Sequence, residues 1–353
     1  MIVFLLPDFI GGGAQRVSTN LIIGLNKKGY EVGVIVFNKK GPLLGQLPSS
    51  VTIYDLETKT FRRSIFPLIK KLKLLKPKLV FSTFGYINVG LLFFRFIIHR
   101  DIAIWVREAN LPSVSLPNNP HSIIISLGYR LFYKLADKVI CTSERMLNEF
   151  LNDFKLPISQ LEIIPNLVNV AMIQASISNA TIYQNDKVNF VAMGRLTYQK
   201  GYDLLLHWFS NLNNKNSLLR IIGSGPMEDE LKDLTKKLNL SSRVFFVGYI
   251  DKPWDMIAAS DVFLLPSRWE GMPNAVLESL VCGTRVIATA ESGGIQELSK
   301  SSKEGAIIVT SSEIEFCKEM EKVKPGKVIK LKDSLLPEMY YLENALEVFS
   351  SQL

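Results

Sequence analysis

The chain contains 353 residues, of which 47% are hydrophobic, and it carries a formal net charge of +8. This length predicts two domains, each large enough to bury a core of its own. The three cysteines lie far apart in the sequence, which excludes a disulfide framework and a cysteine-based metal site. No apolar run reaches the roughly 18 residues of a membrane-spanning helix.

Residues 1–6 are apolar but lack the basic leader and the cleavage site of a signal peptide, so we interpret them as a buried strand and expect a cytoplasmic protein. Short segments rich in Val and Ile then alternate with helical patterns, which predicts an α/β fold with a doubly wound parallel sheet. We expect strands near residues 2–6, 32–37, 51–54, 79–82, 102–106, 138–141 and 162–164. We expect helices near residues 14–28, 64–76, 86–99, 122–136 and 143–153.

Three consecutive glycines, Gly11, Gly12 and Gly13, separate the first strand from the first helix. Glycine lets the backbone approach a ligand closely, although a tight turn alone needs only one glycine. A dinucleotide-binding loop has its third glycine where Arg16 stands here, and the second strand runs into Asn38 rather than an acid. The sequence therefore disfavours a nicotinamide dehydrogenase.

The positive charge is concentrated in the first half of the chain. Residues 1–170 carry 21 Lys and Arg against 11 Asp and Glu, a net charge of +10, whereas residues 171–353 carry −2. The densest basic run, residues 70–78, interleaves lysines with leucines, as in helices that lie on anionic lipid. We favour an anionic membrane surface over nucleic acid because a strongly apolar segment follows. A solvated helix with its apolar stripe in the core explains the run equally well.

The alternation of strands and helices stops after Pro165. We assign residues 1–168 to an N-terminal domain, the polar residues 169–187 to a linker, and residues 188–336 to a C-terminal domain. Residues 337–353 have helical spacing and form a terminal helix. In the C-terminal domain we expect strands near residues 188–193, 218–222, 243–247, 261–265, 285–288 and 306–309.

Two cations, Arg195 and Lys200, flank the loop after the first strand of the C-terminal domain, and Gly201 opens the next helix. Arg offers a bidentate fork to phosphate oxygens, Lys adds a mobile charge, and a helix start adds free N–H groups. The arrangement fits a diphosphate, although a solvated basic loop is the commoner origin of such a pair. The next loop contains Gly223 and Gly225, which form either a nest of N–H groups beside a nucleotide or a simple turn.

Residues 270–278 place two carboxylates, Glu270 and Glu278, around a Gly-Met-Pro-Asn turn. Glu270 follows an apolar strand, and open α/β sheets bind ligands beyond the carboxyl ends of their strands. The helix that begins after the turn offers free N–H groups to an anion or a sugar hydroxyl. The pattern indicates a site for a polyol phosphate, and the alternative is a solvated helix with two ordinary glutamates.

Taken together, these segments resemble glycosyltransferase family 4, also called the group 1 glycosyl transferases. The matching segments occur in the family's order and span most of the chain. They are residues 12–14, 194–196, 200–201, 222–226, 265–267, 270–278, 282–288 and 293–297.

The resemblance implies two Rossmann-like domains that face each other across a cleft, the GT-B arrangement, with the terminal helix crossing back onto the first domain. It places Gly12 and Gly13 against the donor phosphates and the acceptor. It implies that Arg195 and Lys200 neutralise the donor diphosphate and the leaving group. Glu270 then contacts the transferred sugar.

The remaining binding residues follow from the same resemblance. Glu278 bonds the ribose hydroxyls, for which a carboxylate is a good bidentate acceptor. Backbone groups from Gly271 through Met272 to Asn274 hold sugar hydroxyls. Gly223 and Gly225 lie beside the nucleotide, and Tyr249 follows the backbone that holds the base, where an aromatic residue is more often simply part of the core.

One feature departs from the family pattern. Many members carry a histidine near the acceptor after the fifth strand, but His99, His121 and His207 do not fit that position. The fifth strand runs instead into Arg107 and Glu108. Glu108 can orient the acceptor or take a proton. A buried Arg–Glu pair that ends the strand is an equally good explanation.

The sequence thus predicts a retaining, metal-independent hexosyltransferase that uses a nucleotide diphosphate sugar. UDP is favoured over GDP by family frequency alone. The expected acceptor is a glycan, lipid-linked at the inner face of the plasma membrane, in polysaccharide, lipopolysaccharide or glycoprotein assembly. The alternatives are a non-catalytic sugar-nucleotide-binding subunit, which the missing histidine favours, and a sugar-nucleotide epimerase or phosphorylase of related fold.

Overall fold

The computed structural model describes residues 1–98, 101–117, 122–178, 183, 186–326 and 332–353. The chain forms two compact units: residues 1–168 with 341–353, and residues 169–340. Each unit contains one parallel sheet with helices on both faces. The α/β fold with two Rossmann-like sheets, expected from the alternation, is therefore confirmed.

Seven parallel strands in the described residues form the N-terminal sheet, in the order β3-β2-β1-β4-β5-β6-β7. The strands are β1 (Ile2–Leu6), β2 (Val32–Val36), β3 (Thr52–Asp55), β4 (Leu79–Ser82), β5 (Ala103–Arg107), β6 (Lys138–Cys141) and β7 (Leu161–Ile163). The helices between them are α1 (Gly13–Lys27), α2 (Phe61–Leu75), α3 (Gly85–Phe93), α4 (Pro112–Ser115), α5 (Ser122–Phe132) and α6 (Glu144–Asn152). Most strands lie within a residue of their expected bounds.

Alternate residues of β1 pack into different cores, as the period of two in a strand requires. Val3 and Leu5 face a core built with α2, α3, α5 and α6, whereas Phe4 faces a core built with α1. Every residue of β1 is buried, while the edge strand β3 is partly exposed.

The C-terminal sheet contains six parallel strands in the described residues, in the order β10-β9-β8-β11-β12-β13. The strands are β8 (Val188–Met193), β9 (Ser217–Ile222), β10 (Val244–Gly248), β11 (Val262–Leu265), β12 (Arg285–Thr289) and β13 (Ile307–Thr310). The helices are α7 (Val170–Ser176), α8 (Tyr202–Ser210), α9 (Glu228–Lys237), α10 (Trp254–Ala259), α11 (Asn274–Val281), α12 (Ile295–Ser301) and α13 (Glu313–Glu321).

The direction of winding reverses between β8 and β11. From β8 the chain moves outward through β9 and β10, and from β11 it moves the opposite way through β12 and β13. The carboxyl ends of β8 and β11 therefore mark the switch point of the sheet, the place at which open α/β folds bind ligands. The same reversal occurs between β1 and β4 in the N-terminal sheet.

Some elements differ from the sequence interpretation. Residues assigned to the linker form the short helix α7, capped by the Asn169 side chain, which accepts a hydrogen bond from the Met172 amide. Residues 179–182, 184 and 185 of that predicted linker lie outside the described residues. The helix expected near 86–99 ends at Phe93, and residue 99 also lies outside the described part.

The chain ends in α14 (Leu342–Ser351), which packs against the sheet of the N-terminal unit. The ring of Phe349 is fully buried and makes edge contacts with Phe81 and Trp105 at centroid distances of 5.4 and 5.2 Å. Leu346 sits against α1, where Gly24 leaves room for it. Within the described residues, no helix combines the length and the apolar character needed to cross a bilayer.

We expect Phe349→Ala to lower the free energy of unfolding by about 3–5 kcal/mol, the usual cost of removing a buried aromatic ring. Val348→Ala is the matched control, because the neighbouring Val348 side chain is 39% exposed and should cost well under half as much. Urea denaturation followed by tryptophan fluorescence measures both. Equal losses would contradict the assignment of α14 to the N-terminal core.

Candidate active site

A partly buried ion pair joins the loops that follow β8 and β11. The Lys200 ammonium donates to Glu270 Oε1, and the Ser267 hydroxyl donates to the same oxygen over 2.9 Å. Glu270 is 6% exposed and the Lys200 side chain 19%. Within the described residues, Glu270 Oε2 makes no hydrogen bond, so it can accept one from a ligand hydroxyl. The pair lies where the winding of the sheet reverses, at the place that binds ligands in open α/β folds.

Arg195 shares the loop with Lys200 but differs in its surroundings. Its side chain is exposed, and among the described residues its guanidinium makes no hydrogen bond or ion pair. Its five donors are therefore available for an anion. The loop thus carries one cation held by a carboxylate and one ready to bind phosphate oxygens.

Glycines let neighbouring loops approach this site closely. Gly201 has φ +67°, and a Cβ there would lie 2.1 Å from the Pro266 carbonyl oxygen. Gly223 has φ +138°, and a Cβ there would lie 2.0 Å from the Gly194 carbonyl oxygen. At Gly225 a Cβ would meet the Leu196 backbone at 2.4 Å. Gly223 and Gly225 therefore have a packing role against the Arg195 loop, whatever ligand contacts they make.

The segment after Glu270 is buried and continues into α11. Gly271 and Met272 are buried, Asn274 is the first residue of α11, and the Gly271 carbonyl accepts a 2.7 Å hydrogen bond from the Gly294 amide. A Cβ at Gly294 would lie 2.6 Å from the Met272 methyl group and 3.2 Å from the Gly271 carbonyl oxygen, so a side chain there would displace the end of Met272. The turn that is predicted to hold sugar hydroxyls is thus held by the Gly294 amide at its start and by α11 at its end.

The second carboxylate lies about one turn into α11. Glu278 is 6% exposed and accepts a 2.9 Å hydrogen bond from the Trp254 indole N–H of α10. A carboxylate fixed in this way is suited to bind vicinal hydroxyls. Tyr249 lies directly after β10 and is 50% exposed. It is therefore not part of the core, although aromatic side chains at such positions usually are.

The glycine loop of the N-terminal domain is exposed. Gly11 has φ +104°, while Gly12 is extended and caps α1, whose first residue is Gly13. The Asp8 carboxylate accepts from the Ile10 amide at 3.0 Å and from the Gln15 side chain at 3.2 Å. The loop is thus held by Asp8, and the α1 N-terminus begins at its surface.

Glu108, the other predicted catalytic residue of this domain, lies in a buried hydrogen-bonded cluster. Its carboxylate accepts from the Tyr133 hydroxyl, from the Tyr129 hydroxyl at 3.0 Å, and from the Asn88 amide at 2.8 Å. Burial raises the pKa of the Glu108 carboxyl, although these three hydrogen bonds oppose the shift. The cluster ties β5 to α3 and α5.

Arg107 is buried as well, but it bonds to different partners. Its guanidinium donates to the Thr83 hydroxyl at 2.8 Å and to the Asn166 side chain. Burial lowers the pKa of Arg107 to about 10, and the charge of Glu108 opposes that shift. Both side chains at the end of β5 are therefore buried with structural partners, but within the described residues no ion pair joins Arg107 to Glu108.

The described residues contain no cluster of three or more His, Cys, Asp or Glu side chains that could hold a metal ion. His99 and His121 lie outside those residues. His207 lies in the last turn of α8, in the C-terminal domain.

Comparison with known proteins decides the family. The profile "Glycosyl transferases group 1" matches residues 174–333, and "Glycosyltransferase Family 4" matches residues 11–171. The chain belongs to the group 1 glycosyl transferases. All segments of the resemblance fall within these two ranges.

Two relatives and one solved structure illustrate the similarity. An uncharacterized glycosyltransferase of Methanocaldococcus jannaschii is 30% identical over 75% of this chain and 66% of that protein. The Campylobacter jejuni N-acetylgalactosamine-N,N'-diacetylbacillosaminyl-diphospho-undecaprenol 4-alpha-N-acetylgalactosaminyltransferase is 28% identical over 86% of this chain and 84% of that protein. Anabaena HepE, solved with UDP and glucose, has a TM-score of 0.74 at 17% identity, covering 100% of this chain and 95% of that one.

The structure adds a pair that sequence reasoning missed. The Arg268 guanidinium binds the Asp203 carboxylate with two hydrogen bonds of 2.8 and 2.6 Å, donates to the Tyr198 carbonyl at 2.7 Å, and lies 3.8 Å from the centroid of the Tyr198 ring. Partial burial opposes ionisation of Asp203, yet the hydrogen bonds and charge of Arg268 outweigh it and lower the pKa of that carboxyl. The pair fastens the Glu270 loop to the Lys200 loop. Its members stand 65 positions apart, so no sequence spacing reveals it.

A double-mutant cycle tests this pair. We expect Arg268→Met and Asp203→Asn to show a coupling free energy of about 1 kcal/mol in urea unfolding, because both side chains are partly buried and the contact is bidentate. The control is the cycle of Lys236→Met and Asp233→Asn on α9, whose side chains are 71% and 64% exposed. The control coupling should be at most about half as large. Equal couplings would contradict the assignment.

The Glu108 cluster predicts a pH dependence. A carboxyl group whose pKa is raised in the folded state stabilises the fold at pH values below its unfolded-state pKa of about 4.3. This stabilisation is lost as the pH rises through the folded-state pKa. The free energy of unfolding of the wild type should therefore fall relative to that of Glu108→Gln as the pH rises from about 4 into the neutral range. Urea denaturation of both proteins across this range gives the difference. If the wild type instead becomes more stable relative to Glu108→Gln as the pH rises, burial does not oppose ionisation of the Glu108 carboxyl, and the expected shift is wrong.

Proposed function

We propose that this chain is a retaining glycosyltransferase that moves a sugar from a nucleotide diphosphate sugar to a lipid-linked glycan acceptor. The observation that carries the proposal is the Lys200–Glu270 pair beside the exposed Arg195, at the carboxyl ends of the adjacent strands β8 and β11. This arrangement supplies cations for a diphosphate and a carboxylate for a sugar at one place.

In the proposed reaction the bond between the anomeric carbon and the diphosphate oxygen breaks, and the acceptor hydroxyl forms a new bond to that carbon as it loses its proton. The configuration at the anomeric carbon is kept. Arg195 and Lys200 stabilise the charge that develops on the leaving diphosphate. Because these cations neutralise the diphosphate, the reaction needs no metal ion.

The other predicted residues bind the donor. The free oxygen of Glu270 accepts from a hydroxyl of the transferred sugar, and the backbone of residues 271–274 positions that sugar. Glu278 holds the ribose hydroxyls, and Tyr249 offers an exposed ring beside the base. UDP is the nucleotide we favour, because the similar HepE structure contains UDP and glucose.

A lipid-linked acceptor is supported by the Campylobacter jejuni relative, whose name describes transfer to a diphospho-undecaprenol-linked sugar. We extend this to assembly of a polysaccharide, lipopolysaccharide or glycoprotein glycan at the cytoplasmic face of the membrane. Gly12 and Gly13 border the acceptor in this proposal. Glu108 acts by fixing the position of α3 and α5 next to the acceptor or by taking its proton.

A second candidate is a subunit that binds the nucleotide sugar without transferring it. The observation in its favour is that Glu108, which follows the fifth strand in a chain that lacks the family's histidine there, is 5% exposed and already accepts three hydrogen bonds. Such a subunit would bind UDP through the same residues but form no product.

A transfer assay with purified protein separates the candidates. UDP-sugars and GDP-sugars are offered with undecaprenyl-diphosphate-linked acceptors, with and without EDTA, and product configuration is read by NMR. We expect transfer that EDTA leaves unchanged and a new linkage with the donor's anomeric configuration. Loss of transfer with EDTA, or an inverted product, would refute those parts of the proposal.

Variants assign the chemistry to the site. Lys200→Ala and Glu270→Gln should each lower kcat/KM by about 10²–10³-fold, as expected for groups that stabilise transition-state charge. Lys232→Ala, which removes an exposed ion pair with Glu228 on α9, is the control and should keep full activity. Nucleotide binding without any product, under all donors and acceptors, would favour the binding subunit.

A further inference from the structure

Half of the large apolar side chains that are exposed in the described part of the chain lie on three helices of one face of the N-terminal domain and on the turn that follows α3. These helices, α2, α3 and α5, pack on the same side of the sheet. The ring of Phe61 in α2 covers Gly90 of α3, and Val89 of α3 fits against Gly128 of α5. The outer sides of the three helices therefore form one continuous surface, the α2–α3–α5 face.

Helix α5 is apolar on both of its sides. Gly128 and Tyr129 face the core, whereas Ile124, Leu127 and Leu131 on the other side are 68%, 54% and 55% exposed. A helix that is hydrophobic all round is normally covered by protein or by lipid. Among the residues that the structure describes, none covers the outward side of α5.

The turn after α3 continues this apolar surface. Phe93, Phe96 and Ile97 are 55%, 74% and 52% exposed, and Phe93 packs edge-on against Phe132 of α5 at 5.3 Å between centroids. A shallow groove between α2 and α3 is also lined by apolar groups, including Ile65, Ile69 and Phe94 where they meet Gly90. Contiguous exposed apolar surface of this extent marks an interaction site.

Helix α2 adds positive charge to the face. Its apolar stripe, Leu68 and Leu72, is buried in the core, so this stripe is not the membrane contact that the sequence alone allowed. Its outward side presents the cations Arg62, Arg63, Lys70 and Lys73 together with the exposed Phe66 and Leu74. None of α2, α3 and α5 contains an acidic residue.

We propose that the α2–α3–α5 face docks on an anionic lipid bilayer, with α5 and the turn after α3 inserted among the headgroups and α2 lying above them. Apolar side chains next to cations, without any acid, complement a surface that is apolar inside and negative outside. The proposal rests on the proposed lipid-linked acceptor. It assigns the apolar part of the binding energy to α5 and the electrostatic part to α2.

Vesicle flotation of the full chain tests the proposal. We expect binding to vesicles of phosphatidylglycerol and phosphatidylcholine, and little binding to phosphatidylcholine alone. Ile124→Gln/Leu127→Gln/Leu131→Gln should lower the partition coefficient at least about tenfold at both 0.1 M and 0.5 M NaCl, since it removes buried apolar area. Lys70→Gln/Lys73→Gln should weaken binding at 0.1 M but much less at 0.5 M, where salt already screens the charges.

The control variant is Ile158→Gln/Ile314→Gln, whose side chains are 60% and 80% exposed but lie outside the face. It should bind vesicles like the wild type. All substituted residues are exposed, so thermal melting should be unchanged, and UDP titration on each variant checks the proposed donor site separately. If the wild type does not bind UDP, the proposed function is refuted but the proposed docking face is not.

The proposal is overturned if the folded wild type fails to float with anionic vesicles, or if the control loses as much binding as the α5 variant. It is also overturned if sedimentation shows a dimer that the α5 variant converts to monomer while vesicle binding stays the same. In that case a second copy of the chain, and not lipid, covers α5.

Discussion

The partly buried ion pair between Lys200 and Glu270 is the interaction on which the candidate site depends. Each partner would be costly to bury alone, because a charge removed from water needs a compensating charge or hydrogen bonds. Together with the Ser267 hydroxyl they hold a cation and a carboxylate at the reversal point of the C-terminal sheet. The pair also fixes the loop from which Arg195 projects, so that one cation is positioned while the other stays available to a ligand.

The surrounding loops approach so closely because glycines occupy the contact points. Gly201 passes over the Pro266 carbonyl, Gly223 passes over the Gly194 carbonyl, and Gly293, with φ +61°, passes over the Glu270 carbonyl at 2.1 Å from its would-be Cβ. A side chain at any of them would push a loop outward and separate charges that must act together. The glycines of the family pattern are therefore explained by packing between loops as well as by ligand approach.

The strands could be predicted from sequence because they are short runs of Val, Ile and Leu between turn residues, and burial on both faces leaves little ambiguity. The residues Lys200 and Glu270 could also be placed, since each follows such a strand. Helix α7 was missed because seven residues among polar neighbours show no clear period. The Arg268–Asp203 pair and the partners of Glu108 join positions far apart in sequence, and only the fold brings them together.

The orientation of amphipathic helices could be predicted only in part. The lysine-rich α2 looked like the membrane-binding element, but its apolar stripe packs in the core, and the unpartnered apolar side belongs to α5. The sequence of α5 cannot reveal which side is buried, because both sides are apolar. Its orientation follows from the packing of Gly128 against Val89 and from the hydroxyl of Tyr129 on Glu108.

Calorimetric titration with UDP, without metal, of the wild type and of Lys200→Ala measures whether the Lys200–Glu270 pair forms the diphosphate site. We expect UDP to bind the wild type and Lys200→Ala to weaken binding at least about tenfold, which corresponds to about 1.4 kcal/mol. Equal affinities for the two proteins, or no binding to either, would contradict the claim that the Lys200–Glu270 pair forms the diphosphate site.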